Sequence, residues 1–128
     1  MEEINLELNE QFKKFEREIE YIDSQLRAVE EGIKEMGSLS EGLGELVGKK
    51  DEEIFAPIGR GIFVKAKIIS EELLVDVGEK NFIKKSIPET KEIVEEQIKK
   101  LKEVQEQLVN QMKNIDEEIT LAIKEKSN

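Results

Sequence analysis

Residues 54 to 68 read IFAPIGRGIFVKAKI, a run with a proline, paired glycines and β-branched residues in a chain that is otherwise charged and spaced like helix. Ile62, Val64, Ala66 and Ile68 fall on one side of an extended segment and Lys65 and Lys67 on the other, the period of two that a strand requires. Gly59-Arg60-Gly61 supplies the tight turn joining this strand to Ile54 through Ile58. Further on, Leu73, Val75 and Val77 alternate again, and Gly78-Glu79-Lys80-Asn81 turns the chain into Phe82 through Ser86. The segment reads as two hairpins. Isolated hairpins are marginally stable in water, and their free edges are open to pairing with any other strand. Hairpins from several subunits are therefore expected to join edge to edge into a closed or nearly closed barrel. Its expected oligomerisation residues are Ile54, Ile58, Ile62, Val64, Ala66, Ile68, Leu73, Val75, Val77 and Phe82.

On both sides of this island the period changes to the heptad. Stepping alternately three and four residues from Asn5 gives Leu8, Phe12, Phe15, Ile19, Ile22, Leu26, Val29, Ile33, Met36, Ser40, Leu43 and Val47, with only Asn5 and Ser40 polar. A narrow stripe of this kind signals a coiled coil rather than a globular core helix. After Pro88, which suits a helix boundary because it lacks a backbone donor, the same spacing resumes through Val94, Ile98, Leu101, Gln105, Leu108, Met112, Ile115, Ile119 and Ala122. Fully helical arms would reach roughly 70 Å and 57 Å. If the island folds the second arm back along the first, the arms run antiparallel, Leu26 faces Leu108 and Phe12 faces Ala122. Gly32, Gly37, Gly42, Gly44 and Gly48 crowd the second half of the first arm, which should be its weakest part. The fold class expected is α+β: a long antiparallel two-helix coiled coil with two central β-hairpins that assemble into an oligomeric β-barrel. Its domains are a helix over residues 1–50, the hairpins over 51–88 and a helix over 89–128.

Composition narrows the function. The chain has 128 residues, 39% charged and 5% aromatic, with no tryptophan, which is thin for a compact core and typical of long exposed helices. A net charge of -10 opposes non-specific binding to nucleic acid, which depends on clustered Lys and Arg. No apolar run approaches a membrane span, and the start MEEINLELNE lacks the basic-then-apolar pattern of a secretory signal, so a soluble, cytoplasmic protein is expected. With no cysteine and no histidine there is no thiolate nucleophile, imidazole base or structural zinc site, and only carboxylate or lysine chemistry remains.

Two partial motifs fail on spacing. Gly42, Gly44, Gly48, Lys49 and Lys50 fall short of a phosphate-binding loop, because Lys50 stands where a Ser or Thr would hold magnesium. Gly59, Gly61 and Val64 match part of a dinucleotide fingerprint, but a strand follows where a helix is needed. The acid pairs Glu52-Glu53, Glu71-Glu72 and Glu117-Glu118 are what solvated faces of a chain with 30 acidic residues carry anyway. No enzyme, metal or cofactor is expected.

A helix, two hairpins carrying APIGRGIFVKAKI and LLVDVGEKNFIKKSI, and a second helix together resemble the prefoldin family, over nearly the whole chain. Two hairpins rather than one resemble its α class, of archaeal type, or the related γ form. The resemblance implies a hetero-hexamer of two α-class and four β-class prefoldin subunits, its hairpins forming barrels and its coiled coils hanging as tentacles. It also implies a holdase that captures unfolded client proteins at the tentacle tips, without ATP, and delivers them to a group II chaperonin. The γ form implies instead a filament-forming structural scaffold, which an open head-to-tail contact would generate.

At the tip, Ile4 and Leu6 lie off the seam that uses Leu8, and Leu121 and Ile123 flank the seam position Ala122. Met1, Ile4, Leu6, Leu8, Leu121 and Ile123 are accordingly the candidate client-binding residues.

Overall fold

The computed structural model describes the backbone of residues 2–127 and the side chains of residues 6–125. The order of elements is α1 (Glu2–Glu45), β1 (Glu53–Gly59), β2 (Ile62–Lys67), β3 (Leu73–Asp76), β4 (Phe82–Lys85) and α2 (Ile87–Ser127). Two compact units divide them. The first joins α1 up to Lys34 with α2 from Lys99, and the second is Glu35–Ile98.

In the first unit the heptad stripes meet. Phe15, Ile22, Ile115 and Ala122 are buried, with Phe12, Ile19, Leu26, Leu108, Met112 and Ile119 packed against them, and every one of these lies on the seams read from the sequence. Within one residue of a heptad on from the expected facing of Leu26 and Leu108, a methyl group placed on Gly32 would stand 3.4 Å from Leu101 Cδ1. The helices therefore run antiparallel, and Leu101 packs into the space that Gly32 leaves. Two helices enclose their seam on one side each, so no side chain among the described residues is fully buried; Phe15 keeps 6% of its surface and Ile22 5%.

The second unit has its own core, made by Leu43, Ile87 and Val94 with Met36, Leu46, Leu73 and Ile98 packed against them. Here α1 ends. Leu46 N–H donates to the Leu43 carbonyl and Val47 N–H to that of Gly44, tightening the last turn, and Gly48 adopts φ of 77°, which stops the helix. The Gly48 N–H donates to Glu71 Oε1, from the connector between the hairpins. α1 carries no basic residue in its last turn, and the Lys91 ammonium of α2 lies 3.5 Å from where a Gly44 methyl would stand, near the negative end of the α1 dipole.

The second helix starts two residues before the expected boundary, at Ile87 rather than Glu89. Ser86 Oγ accepts the Glu89 N–H at 3.2 Å, the N-cap half of a Ser-x-x-Glu capping box, and donates to Glu89 Oε1 at 2.9 Å, which holds the two side chains together. Pro88 sits inside the first turn, where its missing N–H has no partner to lose. The glycine-crowded part of α1 stays helical through Glu45. Gly37 and Gly42 have nothing within 4 Å of the position a Cβ would take. Gly37→Ala and Gly42→Ala should each raise stability by about 0.5–1 kcal/mol, and Ser86→Ala should lower it by about 1 kcal/mol. Urea unfolding followed by far-UV circular dichroism measures all three.

Candidate assembly and capture surfaces

Hairpin one pairs β1 with β2, with Ile54 opposite Ala66 and Ala56 opposite Val64 on one face, and Phe55 opposite Lys65 and Pro57 opposite Phe63 on the other. Ile58 is the extra residue of a bulge between Pro57 and Gly59, next to a two-residue loop in which Arg60 and Gly61 both have positive φ. Beyond the strands, Asp51 N–H donates to the Ile68 carbonyl and Ile68 N–H to that of Glu52, prolonging the ladder by one rung.

Hairpin two pairs β3 with β4, with Leu73 opposite Lys85, Val75 opposite Ile83, Leu74 opposite Lys84 and Asp76 opposite Phe82. The alternation through Val77 outruns the strand, which ends at Asp76. The Asp76 carboxylate accepts the Gly78 N–H at 2.9 Å and draws Val77 into the turn, where Val77 N–H donates to the Asn81 carbonyl. Glu79 and Lys80 occupy the two left-handed positions of that turn, a conformation ordinary side chains enter at a cost of roughly 1–2 kcal/mol each.

The hairpins form separate two-stranded sheets, so within the chain each strand has one edge without a ladder partner. Of the residues expected to mediate assembly, Ile54, Ile58, Ile62, Val64, Val77 and Phe82 are exposed, and Ala66, Ile68, Leu73 and Val75 are half-buried. Leu73 packs on the chain's own core with Leu43, Ile87 and Val94, which sets it apart from the rest. Further apolar residues share the exposure: Phe55 at 70%, Phe63 at 57%, Leu74 at 65% and Ile83 at 40%. Both faces of the first hairpin thus carry exposed apolar side chains, the second alongside Glu53, Lys65 and Lys67. The alternation had placed Phe55 and Phe63 on the lysine side, and two aromatics interleaved with Lys65 were the available signal that this side also needs cover.

At the helix ends of the first unit, Ala122 is buried while Leu121 and Ile123 on either side are exposed, as is Leu6. Leu8 is half-buried. Met1 and the side chain of Ile4 lie outside the described residues.

Two of the three acid pairs are engaged in separate local contacts: Glu53 with Lys65 at 3.0 Å, Glu72 with Lys84 at 3.4 Å, Glu52 with Lys49 at 3.7 Å, and Glu71 on the Gly48 amide. These ion pairs are solvent-exposed and contribute little to stability. Among the described residues no cluster of three or more acidic side chains is arranged to hold a metal ion. Gly42 and Gly44 lie inside α1 and Gly48 follows it, whereas a phosphate loop must precede its helix. No helix among the described residues is long and apolar enough to cross a membrane.

Paired helices that carry two unfinished hairpins between them define a subunit of the helix–hairpin–hairpin–helix class. A family model described as "Prefoldin subunit" matches residues 15–127. The chain is 28% identical over 81 residues to "Prefoldin subunit alpha" of Methanobrevibacter smithii, covering 62% of this chain and 56% of that protein. It is 41% identical over 44 residues to "Prefoldin subunit alpha 1" of Methanocaldococcus jannaschii, covering 34% of this chain and 31% of that protein. The matches thus span about half the length of the first relative and a third of the second. The fold superposes with a TM-score of 0.78, at 20% identity, on a chain of "Cryo-EM structure of filamentous PFD from Methanocaldococcus jannaschii", covering 91% of this chain and 98% of that one. The chain belongs to the prefoldin family, a family of chaperone subunits rather than enzymes. Its two hairpins and its likeness to two alpha subunits make it an α-class member.

Leu73 and Leu74 are neighbours with opposite surroundings, which gives a direct test of the packing. Leu73→Ala should cost about 2 kcal/mol, and Leu74→Ala less than about 0.5 kcal/mol, in urea unfolding of the dilute chain.

Proposed function

We propose that this chain is the α-class component of an ATP-independent holdase. Its hairpins join those of β-class prefoldin subunits in a hetero-hexamer of two α and four β chains. The particle captures unfolded client proteins at the coiled-coil tips and delivers them to a group II chaperonin in the cytoplasm. One observation carries this reading: each hairpin is a separate two-stranded sheet with exposed apolar side chains and an open edge on every strand. Such edges are completed by strands from other chains or they aggregate. Barrel closure would bury the face with Ile54, Ile62 and Val64.

The capture surface follows from the same logic applied to the helix ends. Leu6, Leu121 and Ile123 are exposed beside a buried seam, where they cost the fold little and remain open to an apolar client. Together with Leu8, Ile4 and Met1 they form a set of individually weak contacts, each worth at most about 1.5–3 kcal/mol when fully buried. Several such tips around one cavity gain by effective concentration.

A second reading has an observation of its own: the structural neighbour comes from a filamentous assembly, and a head-to-tail contact between hairpins of one chain type would build a scaffold filament. Native mass spectrometry and electron microscopy of the chain alone, then with single-hairpin subunits, separate the two. Fibres from the chain alone favour the scaffold, and a species that reaches a hexamer only with the partner favours the chaperone.

Ile62→Lys with Val64→Lys should prevent assembly while leaving the helical circular dichroism unchanged. A chain lacking residues 1–10 and 119–128 should still assemble but lose suppression of client aggregation. Activity that survives this truncation rules out the tip assignment.

A further inference from the structure

The open edges of the two hairpins are not alike. Ile68 N–H donates to the Glu52 carbonyl. Counting in twos from that rung, Ile54 and Ala56 turn their amides toward β2, while Glu53, Phe55 and Pro57 turn theirs to the open side of β1. Proline has no N–H, so Pro57 leaves a gap in that edge at no cost to its own hairpin. On β2 the amides of Phe63, Lys65 and Lys67 face outward, and each offers a donor as well as an acceptor. In hairpin two, Val77 N–H donates to the Asn81 carbonyl, so Leu74 and Asp76 face the open side of β3.

The side chains choose among the strands that could complete β2. A second β2 brings two copies of Lys65 opposite or diagonal to each other, and β4 brings Lys84 beside Lys65 and Lys67; like charges across a ladder are destabilising. A second β1 carries the gap at Pro57. An antiparallel β3 fits along its whole length. On one face Val77, Val75 and Leu73 meet Ile62, Val64 and Ala66. On the other, Asp76, Leu74 and Glu72 meet Phe63, Lys65 and Lys67, which sets both acids across from or diagonal to the lysines. The charge balance agrees: that face of hairpin one holds two lysines against Glu53, and that of hairpin two holds two acids against Lys84. The Glu72 N–H is already held by Ser70 Oγ at 3.0 Å, so the ladder would end on the Lys67 N–H. Within one chain the match is not made. The two hairpins are separate sheets, Glu71 ties the connector to the Gly48 amide, and Leu73 is packed into the helical core.

We propose that β2 of one copy takes β3 of a second copy as its ladder partner, antiparallel, with Ile62 opposite Val77 and Lys67 opposite Glu72. The proposal rests on the reading that strands of other chains complete the hairpins, and it names the edge, the strand and the register. It serves a closed particle or a filament: two copies return the contact to each other, or each passes it on to the next.

The chain has no cysteine, so introduced thiols report neighbours cleanly. Directly opposite residues without ladder bonds stand about 4.5 Å apart at Cα, within disulfide reach. Ile62→Cys chains mixed with Val77→Cys chains and mildly oxidised should give a disulfide-linked dimer, which neither variant should form alone. Ala66→Cys mixed with Val77→Cys, a pair that only a parallel register would join, should not. Lys65→Pro removes an outward donor and none from the hairpin, and should cut the yield about tenfold with helical circular dichroism unchanged. Phe55→Pro, on the other edge, should leave the yield as it was. Either single variant linking as readily as the mixture, equal yields from Ala66→Cys and Ile62→Cys, or a yield indifferent to Lys65→Pro overturns the proposal. Native mass spectrometry of the unaltered chain separates the two levels. A chain that stays monomeric alone and with single-hairpin subunits strikes the underlying reading as well, whereas an assembly that lacks the link between positions 62 and 77 strikes only the β2–β3 pairing.

Discussion

A two-stranded sheet has as many open strand edges as closed ones, and everything in the central segment of this chain follows from that. Among the described residues four short strands are divided between two sheets, and no ladder joins one sheet to the other. Their side chains compound the problem, since the first hairpin exposes apolar residues on both faces. A protein cannot keep such a segment in water as a monomer without an aggregation hazard. Membership in a family of multi-subunit chaperones is the natural resolution, and the open edges are the reason it has to be multi-subunit.

The second hairpin and the connector before it are nonetheless tied to the helices. Leu73 inserts into the core made by Leu43, Ile87 and Val94, and Glu71 caps the amide that α1 leaves open at Gly48. The connector between the hairpins thus serves as the stop signal of one helix, and β3 runs into the core from which α2 starts. Ser86 and Glu89 close the first turn of α2 immediately after β4. A neighbour that engages the second hairpin would therefore act on residues packed where α1 ends and α2 begins.

Most of this was legible because the two periods are unambiguous. The seam positions repeat every three and four residues with few polar breaks, and the core of the first unit consists entirely of them. The hairpins announce themselves through alternation and turn glycines. What the sequence concealed depends on tertiary context or on competing local signals. Pro88 pointed to a boundary at residue 89, whereas Ser86 and Glu89 set the helix start at Ile87; the Ser-x-x-Glu spacing was the better guide. Alternation continued through Val77, but the Asp76 side chain ends the strand first. Period two tells which residues share a face and not which face is covered, so Phe55 and Phe63 went unmarked and Leu73 was grouped with residues that point away from the chain. Near the helix ends Leu6, Leu121 and Ile123 are exposed beside the buried seam position Ala122, a contrast between neighbours that the three-and-four spacing marks.

Among the described residues no side chain is sealed completely from solvent. Its thermal midpoint should consequently climb with concentration and with partner supply, as mass action demands of any fold completed from outside. Copies made in excess of their partners would be the first to open and be degraded. If partner chains close the open edges, subunit stoichiometry would in this way be enforced by the polypeptide itself, without a dedicated regulator.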